Sequence, residues 1–317
     1  MIRSGRVALL AFLPCLFAAP AAAQTKARAP DPAKAVKALV KQQVEALKEE
    51  NPYEGGPDTP WYGDETAFYV DAAEDGERGG IDSFLTTGPM GLVGGRGNKV
   101  KALKVVVAAD KESAWAAFLA QGPGFCIHED CADGVVFRAT ELFVKVEGEW
   151  KIRAAMWSVG MPDGVANASA MDGSAPAPAA LADDDGEDAG EGPKELLDAI
   201  AAPLRKGAAF SDAISARADL EAFGSAPGER VVGGKGLQKA WKGWGPNLTV
   251  DGKVRAGLAP SGTTGWVAAN LRLAKSPKGK KSYAVAFRAF FLCEKEPAGW
   301  RVVAAHLAVP RSGEPGM

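Results

Sequence analysis

Val135-Val136-Phe137-Arg138-Ala139 returns 150 residues later as Val285-Ala286-Phe287-Arg288-Ala289. At the same offset, without a gap, Leu142 answers Leu292, Lys145 answers Lys295 and Trp150 answers Trp300. Ala154-Ala155 answer Ala304-Ala305, and Val159 answers Val309. Ten of 26 aligned positions are identical, far more than composition provides. Self-similarity at a fixed spacing marks a copied structural unit. Upstream, Gly76-Glu77-Arg78 answers Gly228-Glu229-Arg230 and Trp115 answers Trp266, with small shifts that locate loop insertions. A period this long makes tandem domains rather than a solenoid.

Each unit has the same order of elements. A helical pattern opens it, over Ala33–Glu50 and again over Pro193–Phe210; in the first, Val36, Leu39, Val40, Val44 and Leu47 recur at helical spacing. A short strand and a Gly-Glu-Arg turn follow, then a small helix, Gly80–Leu85 or Gly236–Trp241. Three long strands finish the unit, in the second half Gly265–Ala274, Tyr283–Glu294 and Trp300–Pro310. Alternation puts Val267, Ala269, Leu271 and Leu273 on one face and Trp266, Ala268, Asn270 and Arg272 on the other. Helices first and antiparallel strands after define an α+β class.

The 317 residues, 47% hydrophobic, are enough for two cores. Between the units, Asp163–Gly192 is built mostly of Ala, Gly, Pro, Ser, Asp and Glu, with eight acidic residues and no Lys or Arg. Such a segment cannot bury enough apolar area to offset its ordering entropy, so a disordered acidic linker is expected over 163–192. The domains are then 24–162 and 193–317, with net charges of −5 and +9 around a linker of −8. The basic cluster Lys275, Lys278, Lys280 and Lys281 lacks interleaved aromatic residues, which argues against nucleic acid as a partner.

Met1–Gln24 carries a basic start at Arg3 and Arg6, an apolar run over Val7–Phe17 and small residues at Ala21-Ala22-Ala23. It reads as a signal peptide, residues 1–23, cleaved near Ala23 on export to the periplasm or medium. No later run is long enough for a membrane span. In an oxidising compartment, Cys126 and Cys131 are disulfide candidates; the rival, a Cys/His metal site, offers at most three ligands at irregular spacing. Cys293, in an apolar strand pattern, is expected as a buried free thiol.

Ala218-Asp219-Leu220-Glu221-Ala222-Phe223-Gly224-Ser225, then Gly228-Glu229-Arg230-Val231-Val232-Gly233, then Gly299–Pro310 resemble the SnoaL-like branch of the nuclear transport factor 2-like superfamily. The resemblance covers most of 194–311 and, more weakly, 34–162, where Met156 replaces the histidine of the terminal strand. It implies two cone-shaped domains, each a curved antiparallel sheet wrapped on N-terminal helices with a cavity at the wide end. That superfamily includes isomerases, cyclases and dehydratases beside binding and dimerising modules, so fold does not supply an activity.

His306 is the first candidate within such a cavity, since alternation puts it on one face with Trp300, Val302 and Ala304. A general base and a buried structural histidine are the two readings. Arg138 and Arg288 recur at one position in both halves, as anion anchors or as structural ion pairs with Glu77 or Glu229. Trp241, Trp244 and Trp266 can line a cavity or fill a core. Trp241, Trp266, Arg272, Arg288 and His306, with Trp115 and Arg138 of the first half, form the set of pocket candidates.

Glycine runs at Gly91–Gly97 and Gly233–Gly236 lack the Gly-Lys-Ser/Thr of a phosphate loop, and no nucleophile elbow, His-Glu-x-x-His helix or Cys-x-x-Cys pair is present. No metal or cofactor is therefore expected. The leading expectation is an exported, non-catalytic protein that binds a small apolar ligand or another protein. The halves would pair sheet to sheet as a pseudo-dimer, or the chain would form a homo-oligomer. The alternative is an isomerase or cyclase using His306 as base and Arg288 as anion partner.

Overall fold

Val36, Val40 and Val44 recur every four residues and lie fully buried along one side of a helix, while Lys37 and Lys41 face solvent. This is α1, Pro32–Ala46. Proline suits the first turn, whose N–H groups lack intrahelical partners, and Asp31 Oδ1 accepts the Ala33 N–H at 3.0 Å. The computed structural model describes residues 31–46, 67–70, 99–121, 125–127, 130–132, 136–161, 163–175, 193–279 and 281–310. The expected signal peptide, Glu77, the helix Gly80–Leu85, the glycine run Gly91–Gly97 and residues 176–192 of the expected linker lie outside them.

The first sheet contains β1 (Ala67–Val70), β2 (Lys99–Val107), β3 (Ser113–Gln121), β6 (Val136–Val146) and β7 (Glu149–Val159), in the order β1-β7-β6-β3-β2. Between β3 and β6, the short pair β4 (Phe125–Ile127) and β5 (Asp130–Ala132) puts the backbone of Cys126 opposite that of Cys131. After β7 comes α2, Asp163–Asp172. This corrects the expected disorder over the start of 163–192: the segment is rich in alanine, and Ala166 is buried with Val285 and Val309, giving the helix a small apolar footing.

The second half opens with α3, where Lys194–Leu196 and Ala202–Arg205 flank a wider π turn at Leu197–Ala201. A 3-10 segment, Gly207–Ala213, follows. Then come β8 (Glu221–Phe223), β9 (Arg230–Val232), α4 (Gly234–Trp244), β10 (Leu248–Leu258), β11 (Thr264–Lys275), β12 (Tyr283–Glu296) and β13 (Gly299–Ala308). Their order is β10-β11-β12-β13-β8-β9. Four long strands, not three, complete the unit. β10 escapes a pattern search because Asp251-Gly252-Lys253 interrupts it, and its register slips between Asp251 and Val254.

Among the described residues, the five strands of the first sheet match β8 and β10–β13 of the second in order, and β9 is an additional edge strand. In each, a short parallel strand lies beside the last long one, Ala67 opposite Ala154 and Glu221 opposite Ala304. Each last hairpin slips by one residue at the same place, between Leu142 and Phe143 and between Leu292 and Cys293. The extra residues are Arg153 and Val303, 150 apart.

Inner faces hold separate cores. Val36, Phe118, Phe143 and Trp157 belong to one, and Leu196, Phe210, Trp241 and Phe291 to the other. Outer faces share a third buried layer, in which Trp115, Leu142 and Met156 of the first sheet meet Trp266, Phe290 and Leu292 of the second. Full burial of each large apolar side chain is worth about 1.5–3 kcal/mol, so this layer is a core in its own right. Among the described residues no helix is long and apolar enough to cross a membrane.

Candidate functional site

A cavity of about 110 Å³ opens at one end of the second sheet's inner face. Its wall is Trp244 from α4, Leu248 from β10, Leu271 and Leu273 from β11, Phe287 from β12 and Leu307 from β13. The polar rim comes from three other places: Ser225 and Glu229 in the turn between β8 and β9, Lys275 at the end of β11, and Asp163 at the start of α2. One end of the rim is therefore supplied by the segment that leaves the first sheet.

Local chemistry holds that rim in place. Glu229 Oε2 accepts the Ala226 N–H at 3.1 Å, and the side chain folds back over Gly224, where an added Cβ would sit 2.1 Å from the same oxygen. Arg138 reaches the turn from the first sheet, donating to the carbonyls of Gly224 and, at 3.3 Å, Ala226. Its other terminal nitrogen donates to Ser158 Oγ at 2.7 Å. The Met161 N–H adds a bond to the Ser225 carbonyl at 3.0 Å. On the far side, Lys275 Nζ donates to Asn167 Oδ1 at 2.7 Å, tying α2 across the mouth.

Most residues singled out from sequence lie elsewhere. The slip at Val303 reverses the alternation of β13. Trp300, Val302, Ala305 and Leu307 point to the inner core, whereas Val303, Ala304 and Ala308 belong to the layer between the sheets. His306 follows the second set, so its expected face, shared with Trp300 and Val302, is corrected. It is fully buried, with Nε2 2.7 Å from Ser158 Oγ and its ring edge-on to Phe223 at 5.5 Å. Burial, reinforced by the Arg138 charge, holds its pKa well below the ordinary value; a backbone hydrogen bond at Met156 opposes this. The ring is neutral and sealed.

Arg288 is also buried on the outer face, its Nε 3.4 Å from Asn270 Oδ1. Arg138 reaches the stretch between β8 and β9 through the carbonyl oxygens of Gly224 and Ala226, and Glu229 lines the cavity. Trp115 donates to Glu294 Oε1 at 3.0 Å across the two sheets. Burial raises the Glu294 pKa against the opposing pull of Arg217. Trp266 stacks on Phe290 in the same layer. Trp241 is core, its ring 4.5 Å from Phe210 and its Nε1 donating to the Gly207 carbonyl at 3.2 Å. Arg272 is exposed and paired with Asp251 at 2.6 Å. None of these seven lines the cavity; Trp244, weighed beside them, does.

One buried group escaped the sequence reading. Glu141, on the inner face of β6, is fully buried. Its Oε1 accepts from Gln43 Nε2 at 2.9 Å and Trp157 Nε1 at 2.8 Å, while Oε2 has no hydrogen-bond partner. Burial lifts its pKa to about 7, the two hydrogen bonds opposing. The signal was available: at the offset of 150 its counterpart is Phe291, so a carboxylate stands where the other half has an aromatic ring. Cys293, as expected, is a free buried thiol whose pKa burial pushes up. Among the described residues no group of three or more His, Cys, Asp or Glu side chains is placed to hold a metal.

No protein-family model and no curated protein matches the chain. Solved structures resembling part of it are nuclear transport factor 2-like and ketosteroid isomerase-like proteins. One, a nuclear transport factor 2-like superfamily protein from Salmonella enterica, is 13% identical with a TM-score of 0.33, covering 39% of this chain and 94% of that one. A ketosteroid isomerase-like protein from Erwinia carotovora is 17% identical with a TM-score of 0.27, covering 37% and 97%. A nuclear transport factor 2-like protein from Rhodospirillum rubrum is 17% identical with a TM-score of 0.31, covering 42% and 100%.

Proposed function

We propose that the protein is an exported, non-catalytic binding protein, built of two SnoaL-like units over 24–162 and 193–317, that takes a small apolar molecule in its second unit. The cavity carries this reading: six apolar side chains converge on a space open at one end and rimmed by a few polar groups. A closed apolar cavity of about 150 Å³ accepts benzene; at about 110 Å³ this one suits a short aliphatic chain, or a single ring seated partly in its mouth. The first unit then serves as a fixed partner, its outer face covering the outer face of the second and its Arg138 steadying the rim.

The isomerase or cyclase alternative needs His306 as a base in reach of substrate. That side chain lies in the layer between the sheets, behind the cavity wall rather than within it.

Calorimetric titration with 2-phenylethanol, a neutral single-ring probe, tests the reading. Saturable binding near the millimolar range is expected for so few ligand atoms, and loss of it in Leu271→Phe, which fills the cavity. No saturable binding, or equal binding by the variant, overturns it.

A further inference from the structure

We propose that the cavity selects molecules whose apolar body carries a primary ammonium group. This rests on the cavity being a binding site, as set out above, and goes beyond it in naming the polar group that the rim recognises.

Two acidic residues from separate parts of the chain line the cavity, Glu229 from the turn after β8 and Asp163 from the first turn of α2. Glu229 spends Oε2 on the Ala226 N–H, leaving Oε1 for a ligand, and its turn is gripped by Arg138 through carbonyl oxygens. Ser225 adds a hydroxyl beside them. Two cations stand beside the rim, both engaged by protein oxygens: Lys275 at 2.7 Å by Asn167, one helical turn beyond Asp163, and Arg138 by the Gly224 and Ala226 carbonyls. Among the described residues that line the cavity itself, two are acidic and one is basic.

An ammonium presents three N–H donors, and its bonds to carboxylates are charge-assisted, stronger than those of a neutral hydroxyl. A carboxylate on the same apolar body would meet two like charges beside low-dielectric walls, offset only in part by Lys275. The apolar wall begins immediately behind the rim, with Phe287, Leu273 and Leu307. Body and head group are therefore read by adjacent surfaces.

Three probes of equal body and different head group separate this inference from the one beneath it: phenethylamine, 2-phenylethanol and 3-phenylpropionate, titrated calorimetrically into the whole protein at pH 7 and low salt. Phenethylamine is expected to bind about tenfold more tightly than 2-phenylethanol, and 3-phenylpropionate more weakly than both. Glu229→Gln, which retains an acceptor for the Ala226 N–H, should bring the ratio of the phenethylamine and 2-phenylethanol affinities from about tenfold to near one; Asp163→Asn should lower it in part. Equal affinities, or a preference for 3-phenylpropionate, overturn the ammonium class while the cavity reading stands. If none of the three binds, both fall.

Discussion

The two halves share strand order, the parallel strand beside the last long one, and the position of the one-residue slip in the final hairpin, yet they use their interiors differently. The first half buries a carboxylate among Gln43 and Trp157. The second has Phe291 at that position and a cavity of mixed polar and apolar lining further along the same face. Between the sheets the asymmetry continues: His306 and Ala308 of one half stand where the other has Met156 and Ser158, and the only serine of the four is what His306 bonds. The lesson is that topology is kept by main-chain pairing and apolar packing, while single polar substitutions decide what each compartment can hold.

Putting the first half's residue into the second is the severest way to break this comparison. Phe291→Glu buries a carboxylate with neither Gln43 nor Trp157 to bond it, among Phe210 and Trp241. Lost packing and an unpaired charge should together cost about 4–5 kcal/mol, read as a collapse of the denaturant midpoint. A midpoint near that of the wild type would show that the partners around Glu141 are not what makes its burial tolerable.

Glu141→Gln sharpens the comparison from the other side. The folded pKa, about 7, lies above the ordinary value of 4.5. Between those limits the folded carboxyl keeps its proton while the unfolded one releases it, so stability falls as pH rises through this window. Over the full window the loss amounts to about 3 kcal/mol. The glutamine still accepts from Gln43 and Trp157, and should abolish that slope and be the more stable protein at pH 8. Denaturation at pH 5 and pH 8 checks it; an unchanged slope would place the titration elsewhere.

The smallest effect is expected at the interface. His306 is held neutral, with Arg138 the charged neighbour, so below its ordinary pKa of 6.5 the unfolded chain gains a proton that the folded one refuses. Stability therefore drops as pH falls below 6.5. His306→Met, the residue of the other half, should flatten that part of the profile while leaving stability at pH 8 within about 1 kcal/mol.

How much of this was legible follows from which signals are local. The repeat, the α+β class, α1 and the two faces of β11 rest on side-chain periodicity, which the chain displays openly. The slip in β13 is a main-chain event with no marker residue, so alternation carried His306 to the wrong face. β10 was lost for the same reason, its pattern broken at Asp251-Gly252-Lys253. Composition misled at α2, since a helix that needs only Ala166 and its neighbours as footing looks like a linker. The cavity brings together Asp163, Ser225, Glu229 and Lys275, distant in sequence and unremarkable one by one.

The slip at Val303 sets what the rest of β13 presents. Removing that one codon would restore strict alternation downstream and turn His306 toward the cavity side, moving Leu307 out of it. Both final hairpins carry the slip, so a single unpaired residue decides which side chains of each last strand face its interior.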